Sequence, residues 1–158
     1  FQSVTTSARA VSANQHAVPL PRPLVGSAEP HFSFAGLKSA VARAAASGEH
    51  RTADLAASFQ QAVVDCLVDR SRIALAACPR ATAFVVAGGV AANGAIRTAL
   101  ADLAHRFDRR FVAPPLWLCT DNGAMIAALG AQLVIAGRAP SGLAFGADST
   151  LPATVVQS

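Results

Sequence analysis

A short apolar run followed by two glycines, AFVVAGGVAANG at residues 83–94, carries the clearest structural signal in this chain. Residues 83–87 are wholly apolar and are bounded by polar residues and glycines, which is typical of a buried parallel strand. Gly88 and Gly89 then permit a tight turn, and a helix is expected over residues 95–105. A strand, a glycine turn and a helix in this order predict an α/β fold.

The same alternation extends to both sides of this stretch. Upstream, residues 37–46 predict a short helix, and a helix of about seven turns is expected from an N-cap at Thr52 to Pro79. Downstream, residues 110–113 predict a second short strand, and residues 124–136 predict an almost wholly apolar helix. Together these elements predict a mostly parallel sheet flanked by helices.

The long helix is predicted to bury one stripe and to expose the opposite face. Apolar side chains recur at helical spacing from Leu55 to Ala77. The charged residues of the helix lie mostly off that stripe and are expected in solvent; they are Asp65, Asp69, Arg70 and Arg72.

Composition excludes two classes of protein. A length of 158 residues suits about one domain, and 53% hydrophobic residues with a mean hydropathy of +0.41 exclude an intrinsically disordered polymer. No apolar run approaches the roughly 18 residues that a membrane helix needs. Charged residues make up only 14% of the chain, which suggests a large buried fraction or a face that meets another surface.

Charge and reactive side chains narrow the chemistry further. The net charge is +4, and every cation except Lys38 is an arginine, which permits nucleic-acid binding without requiring it. Three cysteines without CxxC spacing indicate a reducing compartment and are expected in the core; they are Cys66, Cys78 and Cys119. The four histidines are too far apart in sequence for a helix-face metal pair, and no phosphate-binding P-loop or nucleophile elbow is present.

The glycine turn is the first candidate site. Glycine lets backbone amides approach a phosphate closely, and the helix that follows points its positive end at the anion. Asn93 offers a donor and an acceptor to a sugar or a base. The alternative is a structural one, in which Gly88 and Gly89 form a tight turn and Asn93 caps the helix.

The sequence Thr120-Asp121-Asn122-Gly123 is the second candidate. Its carboxylate is expected at the carboxyl-end rim of the sheet, where open α/β folds bind ligands. Asp121 is therefore a candidate hard oxygen ligand for a metal. The alternative is that Thr120 or Asp121 only caps the apolar helix.

Four segments of the chain resemble one family in the same order. They are FSFAGLK at 32–38, AASFQ at 56–60, VAGGVAAN at 86–93 and LCTDNGAMIA at 118–127. Together they resemble the C-terminal half of the tRNA threonylcarbamoyladenosine synthase family, over about residues 16–137. The family's metal-binding histidine pair belongs to its N-terminal half and has no counterpart in this chain.

This resemblance implies a lobe of the actin-like ATPase fold, the superfamily of sugar kinases and heat-shock proteins. It implies transfer of threonylcarbamoyl from threonylcarbamoyl-adenylate to the exocyclic amine of the adenosine beside the tRNA anticodon. Gly88 and Gly89 would line the adenylate phosphate, Asn93 would contact the nucleotide, and Asp121 would be one ligand of an iron or zinc ion. No catalytic residue is identified. The implied partners are tRNA and the other subunits of a transfer complex, in the cytoplasm and away from membranes.

On this basis residues 1–15 are expected to be an atypical, disordered lead-in, residues 16–140 the lobe, and residues 141–158 a tail. Without the histidine pair, the chain alone is expected to be inactive and to associate through apolar surface. One alternative is a non-catalytic fragment or pseudo-enzyme that binds a partner or a nucleotide. Another is an ATPase or kinase of the same superfamily.

Overall fold

Helices alternate with two short strands in the computed structural model, which describes residues 13–140 and residue 142. In chain order the elements are helix α1 (Ala35–Ser47), helix α2 (Thr52–Ala77), strand β1 (Ala83–Val85), a 3-10 turn (Gly89–Ala92), helix α3 (Gly94–Arg106), strand β2 (Arg110–Val112), a second 3-10 turn (Leu116–Leu118) and helix α4 (Gly123–Ile135). This order confirms the predicted α/β class. The chain divides into two compact units, one ending at Asp121 and the other beginning at Asn122.

Helix α2 is the centre of the first unit because apolar clusters pack on two of its sides. One cluster joins it to α1 and to the segment upstream of α1, residues 14–29. Its buried members are Val18, Leu20, Leu37, Leu55 and Ala62. The other joins it to α3; its buried members are Val64, Leu75, Ile96, Leu100 and Leu103. The predicted length of α2 is confirmed, but the predicted single stripe was too narrow, since the helix buries residues on both sides. Thr52 is the first helical residue rather than the N-cap, which is Arg51.

Arg70 was expected in solvent on the exposed face of α2, and this prediction is wrong. Its side chain is only 1% exposed. The guanidinium donates to the backbone carbonyls of Ser27 and Glu29, at 2.9 and 2.8 Å, and is paired with the carboxylate of Asp69. A charge is tolerated here because each buried donor group meets an oxygen. Arg70 therefore holds residues 27–29 against α2.

The upstream segment lies along α2 through polar contacts as well. The N–H of Val18 donates to the buried hydroxyl of Ser58 at 3.1 Å, and Arg22 pairs with Asp65 at 2.9 Å. Most of the predicted disordered lead-in, residues 1–12, lies outside the described residues. At its end the N–H of Asn14 donates to the Asp54 carboxylate at 2.9 Å.

The two strands pair in parallel, as predicted, with Phe84 opposite Phe111. Both strands are shorter than expected, and β1 is not fully buried, because Val85 is 64% exposed. Within the described part of the chain the sheet has only two strands, so the end of β1 lacks the cover that a larger sheet would provide. Because parallel strands point the same way, the turn after β1 and the loop after β2 leave the same edge of the sheet.

Helix α4 is the helix in the described part of the second unit. It spans Gly123–Ile135, and all of its residues are exposed, including several large apolar ones. None of the helices in the described residues is both long and apolar enough to cross a membrane. The predicted tail, residues 141–158, lies outside the described residues except for Gly142. Of the three cysteines predicted to be in the core, Cys66 and Cys119 are buried, but Cys78 at the end of α2 is exposed.

Candidate functional site

The glycine turn has a backbone conformation that only glycine adopts readily. Gly88 has φ +83° and ψ 177°, a region in which a side chain would be strained. The turn is closed by a hydrogen bond from the N–H of Ala91 to the carbonyl of Gly88, at 2.9 Å. Among the described residues, the N–H groups of Gly89 and Val90 have no hydrogen-bond acceptor. The turn therefore presents two amide donors at the edge of the sheet where both strands end.

Gly89, unlike Gly88, is not required by the backbone conformation of the turn. Its backbone conformation is one that other residues adopt, and a Cβ atom built on it meets no protein atom within 4 Å. The protein itself therefore does not require glycine at position 89. Glycine is needed there only if something outside the described chain approaches the backbone closely.

Asn93 caps helix α3, which is the structural alternative that the sequence left open. Its Oδ1 atom accepts from the N–H of Ile96 at 3.1 Å, so it caps helix α3. Its Nδ2 atom donates to Oε1 of Gln60 on α2 at 3.2 Å. The second amide hydrogen and the second lone pair of the carbonyl are still available for a ligand. Capping therefore does not exclude nucleotide contact.

A groove of about 800 Å³ lies between α1, α2 and the glycine turn. It is lined by Phe34, Lys38, Phe59, Gln60, Val63, Leu67, Gly89, Val90, Ala92, Asn93, Gly94, Ala95 and Ile96. Eight of these thirteen residues belong to three of the four segments that carry the family resemblance, at 32–38, 56–60 and 86–93. Three segments that are distant in the sequence thus line one concave surface.

The chemistry of the groove is mixed in a way that suits a nucleotide. Most of its lining side chains are apolar and include two phenylalanines, and its polar lining side chains are those of Lys38, Gln60 and Asn93. Among the described residues that line it, only Lys38 carries a charge, and that charge is positive. Apolar side chains accommodate a planar base, and a cation together with amide donors accommodates a phosphate. No carboxylate or histidine lines the groove within the described chain, so its lining has no general base at neutral pH.

The groove contains some of the predicted site residues and not others. Gly89 and Asn93 line it, whereas Gly88 and Asp121 are not among its lining residues. Sequence reasoning missed Phe34, Lys38, Phe59 and Gln60 as site residues. The available signal was their membership of two segments, 32–38 and 56–60, that carry the family resemblance.

Asp121 is exposed at the end of the loop that follows β2. The prediction that Thr120 or Asp121 caps the apolar helix is wrong, because the cap of α4 is Asn122. Within the described residues, Asp121 makes no recorded ion pair or hydrogen bond. Its carboxylate therefore has no structural role in the described chain.

The described residues do not complete a metal site around Asp121. No group of three or more His, Cys, Asp or Glu side chains within them is placed to hold a metal ion. One carboxylate is too small a ligand set for tight binding of a transition metal, which takes three or four protein ligands. Any metal at Asp121 would need ligands from outside these residues.

Comparisons with known proteins identify the relatives of this chain. A family model described as "TsaD: tRNA N6-adenosine threonylcarbamoyltransferase" matches residues 3–128. A protein from Sphingopyxis alaskensis named tRNA N6-adenosine threonylcarbamoyltransferase is 84% identical over 128 residues, covering 81% of this chain and 37% of the relative. A protein of the same name from Novosphingobium aromaticivorans is 64% identical over 125 residues, covering 78% and 36%. This chain thus spans somewhat more than a third of the length of these relatives.

Proposed function

Because the chain belongs to the TsaD family of tRNA N6-adenosine threonylcarbamoyltransferases, we propose that it forms the adenylate-binding part of such an enzyme. The complete enzyme transfers the threonylcarbamoyl group from threonylcarbamoyl-adenylate to the exocyclic amine of the adenosine beside the tRNA anticodon. In this proposal the chain is one lobe of an actin-like ATPase fold, with residues 16–140 as the lobe. It acts in the cytoplasm with tRNA and with further subunits of a transfer complex.

The observation that carries this proposal is the groove that α1, α2 and the glycine turn form together. The adenine ring lies against the apolar walls, where Phe34 and Phe59 offer flat surfaces. The phosphate lies at the N–H groups of Gly89 and Val90, with Lys38 as the nearby cation. Asn93 binds the nucleotide through the hydrogen-bonding capacity that the cap and Gln60 leave open.

These contacts assign the groove a role in the reaction. The N6 amine of adenosine attacks the carbamoyl carbon, the bond from that carbon to the phosphate oxygen breaks, and AMP leaves with the electron pair. Negative charge on the leaving phosphate increases during this step, so amide donors and Lys38 at the phosphate stabilise the transition state more than the substrate. The proton from the amine goes to a group outside the groove lining, since no described lining residue can accept it.

Asp121 is proposed as one ligand of an iron or zinc ion, with the remaining ligands outside the described residues. Such an ion, when bound, would supply a Lewis acid for the carbamoyl carbonyl. The described residues alone do not fit a metal, because no three possible ligands lie together among them.

Gly89→Ala tests the groove assignment. The added methyl group meets no protein atom within 4 Å, so the folded chain should tolerate it. If the phosphate approaches the backbone at Gly89, the methyl group should weaken AMP binding by about tenfold or more. Gly130→Ala is the matched control, because its Cβ also meets nothing within 4 Å and it lies in α4. Equal AMP affinity in both variants would contradict the groove assignment.

The transfer activity is tested in a chimera, in which this chain replaces the matching segment of the Sphingopyxis alaskensis relative. We expect the chimera to modify tRNA when threonylcarbamoyl-adenylate is supplied, measured as modified nucleoside by mass spectrometry. A chimera that binds AMP but modifies no tRNA would favour the non-catalytic alternative. Hydrolysis of ATP without transfer would favour the kinase-like one.

A further inference from the structure

Arg97 contacts both of the loops that carry the candidate site residues. Its Nε atom donates to the carbonyl of Ala91, in the glycine turn, at 3.0 Å. Its Nη2 atom donates to the carbonyl of Pro114 at 2.8 Å and lies 3.3 Å from Sγ of Cys119, in the loop that follows β2. One side chain on helix α3 therefore joins the turn after β1 to the loop after β2.

Both ends of this connection are fixed within their own loops. The N–H of Ala91 donates to the carbonyl of Gly88, so Ala91 is held to the first glycine of the turn. The N–H of Cys119 donates to the carbonyl of Leu116 at 3.1 Å, and Cys119 as a whole is only 1% exposed. Because the loops are internally ordered, holding Ala91 and Cys119 also holds the backbone next to them.

From this geometry we propose that Arg97 is a positioning residue, which sets the spacing between the glycine turn and Asp121. Asp121 follows Cys119 by two residues, and Gly88 and Gly89 precede Ala91 by three and two. The guanidinium is planar and carries donors on separate nitrogens, so it fixes distance and orientation together. The consequence for catalysis rests on the proposed function, because only there do the turn and Asp121 act on one substrate.

The reactivity of the Cys119 thiol can report whether Arg97 holds the two loops together. The thiol of Cys119 is covered in the folded state and contacts Arg97. Cys66 is equally buried, at 1% exposure, but lies on α2, and burial raises the pKa of its thiol. Local loosening at Arg97 exposes Cys119 alone, whereas general loosening exposes both thiols.

The first experiment measures alkylation of each thiol in the 158-residue chain by peptide mass spectrometry, with the exposed Cys78 replaced by serine. Arg97→Gln should speed alkylation of Cys119 by about tenfold or more and leave Cys66 within about twofold. Arg97→Lys should speed alkylation of Cys119 in the same way, because a single ammonium group cannot replace donors on separate nitrogens that bind two loops. Arg106→Gln, on the same helix, is the matched control and should change neither rate. An unchanged Cys119 rate, or a parallel rise at Cys66, would overturn the proposal.

The second experiment measures kinetics in the chimera. Arg97→Gln should lower kcat by about 10- to 100-fold, because a misplacement of about 1 Å between reacting parts is enough for such a loss. The KM for threonylcarbamoyl-adenylate should stay within about threefold, since Arg97 does not line the groove. A raised KM with an unchanged kcat would overturn the positioning role. An inactive unsubstituted chimera would instead count against the proposed function, and the alkylation rates would still decide whether Arg97 holds the two loops.

Discussion

The Oδ1 atom of Asn122 accepts a hydrogen bond from the backbone N–H of Met125, at 3.0 Å, and this bond caps helix α4. The neighbouring carboxylate of Asp121 is exposed and takes no part in the cap. Two adjacent polar residues thus divide two roles that the sequence could not separate. Asn122 begins the helix, and Asp121 is available for chemistry.

Substitutions at these two positions should therefore have different effects. Asn122→Ala should destabilise the first turn of α4 by about 1 kcal/mol, as loss of an N-cap does. Hydrogen exchange at the Met125 amide measures this, and the rate should rise. Asp121→Ala should leave that rate unchanged but lower transfer by the chimera at least about a hundredfold, because it removes a proposed metal ligand. Near-normal transfer by Asp121→Ala with its metal retained would remove Asp121 from the site.

Asn93 combines a cap with a proposed nucleotide contact, and two variants separate them. Asn93→Ala should weaken AMP binding by about 1–2 kcal/mol, or about 5- to 30-fold, and should destabilise α3 by about 1 kcal/mol. Asn93→Ser keeps an oxygen at the cap, so it should restore thermal stability without restoring affinity. Calorimetric titration and thermal unfolding measure the two effects. Affinity restored by serine would mean that Asn93 acts only through the cap.

Metal should not stay bound to the chain by itself. Asp121 has no partner ligands among the described residues, and a single carboxylate binds a divalent transition metal weakly. After dialysis, elemental analysis of the 158-residue chain should find far less than one metal per chain. The same sample should modify no tRNA when threonylcarbamoyl-adenylate is supplied. Stoichiometric metal, or turnover by the chain alone, would contradict this prediction.

Acid should destabilise the fold in part through Asp69. The hydrogen bonds from Arg70, more than any other contact, hold the pKa of the Asp69 carboxyl below its usual value of 3.8. A carboxyl with a lowered pKa in the folded state stabilises it fully above the unfolded-state value, and this stabilisation is lost as the pH falls through the folded-state value. Denaturant unfolding below about pH 5 should therefore show a steeper loss for the wild type than for Asp69→Asn. Asp102→Asn, an exposed carboxylate on α3, is the control and should follow the wild type.

The isolated chain should associate through α4. This helix contains no charged residue, and its large apolar side chains are 45–77% exposed. Apolar patches beyond a few hundred Å² drive association. Light scattering at micromolar concentration should therefore detect species larger than a monomer. Pairing Leu129→Glu with Leu133→Lys should restore the monomer, since this spacing also supports the helix. Leu24→Glu, which removes an exposed leucine outside α4, is the control and should leave the association unchanged. A monomeric wild type would contradict the prediction.

Much of the local structure could be predicted from the sequence. The apolar run at 83–87 predicted a strand, and the two glycines after it predicted a turn. The turn has φ +83° at Gly88, and few residues other than glycine adopt such a φ. The helix after Asn93 was predicted to within one residue at each end, since a capping side chain and a helical period are both local signals. The family resemblance then directed attention to Gly88, Gly89, Asn93 and Asp121.

The parts that could not be predicted depend on which surfaces meet. Arg70 was expected in solvent, yet residues 27–29 cover it and supply its acceptors. Periodicity along one helix contains no information about a segment that packs on it from 40 residues away. The role of Asn122 as cap was hidden for a different reason, because three adjacent polar residues were all acceptable caps by type.

The sequence by itself therefore determined where strands, turns and helices lie, since steric limits on the backbone and the period of apolar residues act over a few neighbours. Only the tertiary structure decided that Phe34, Gln60 and Gly89 line one groove, and that Arg97 reaches two loops at once. These are contacts between distant residues. They exist because α1 and α3 both pack on α2, and because the parallel pairing of β1 and β2 brings the loops after both strands to the same edge of the sheet.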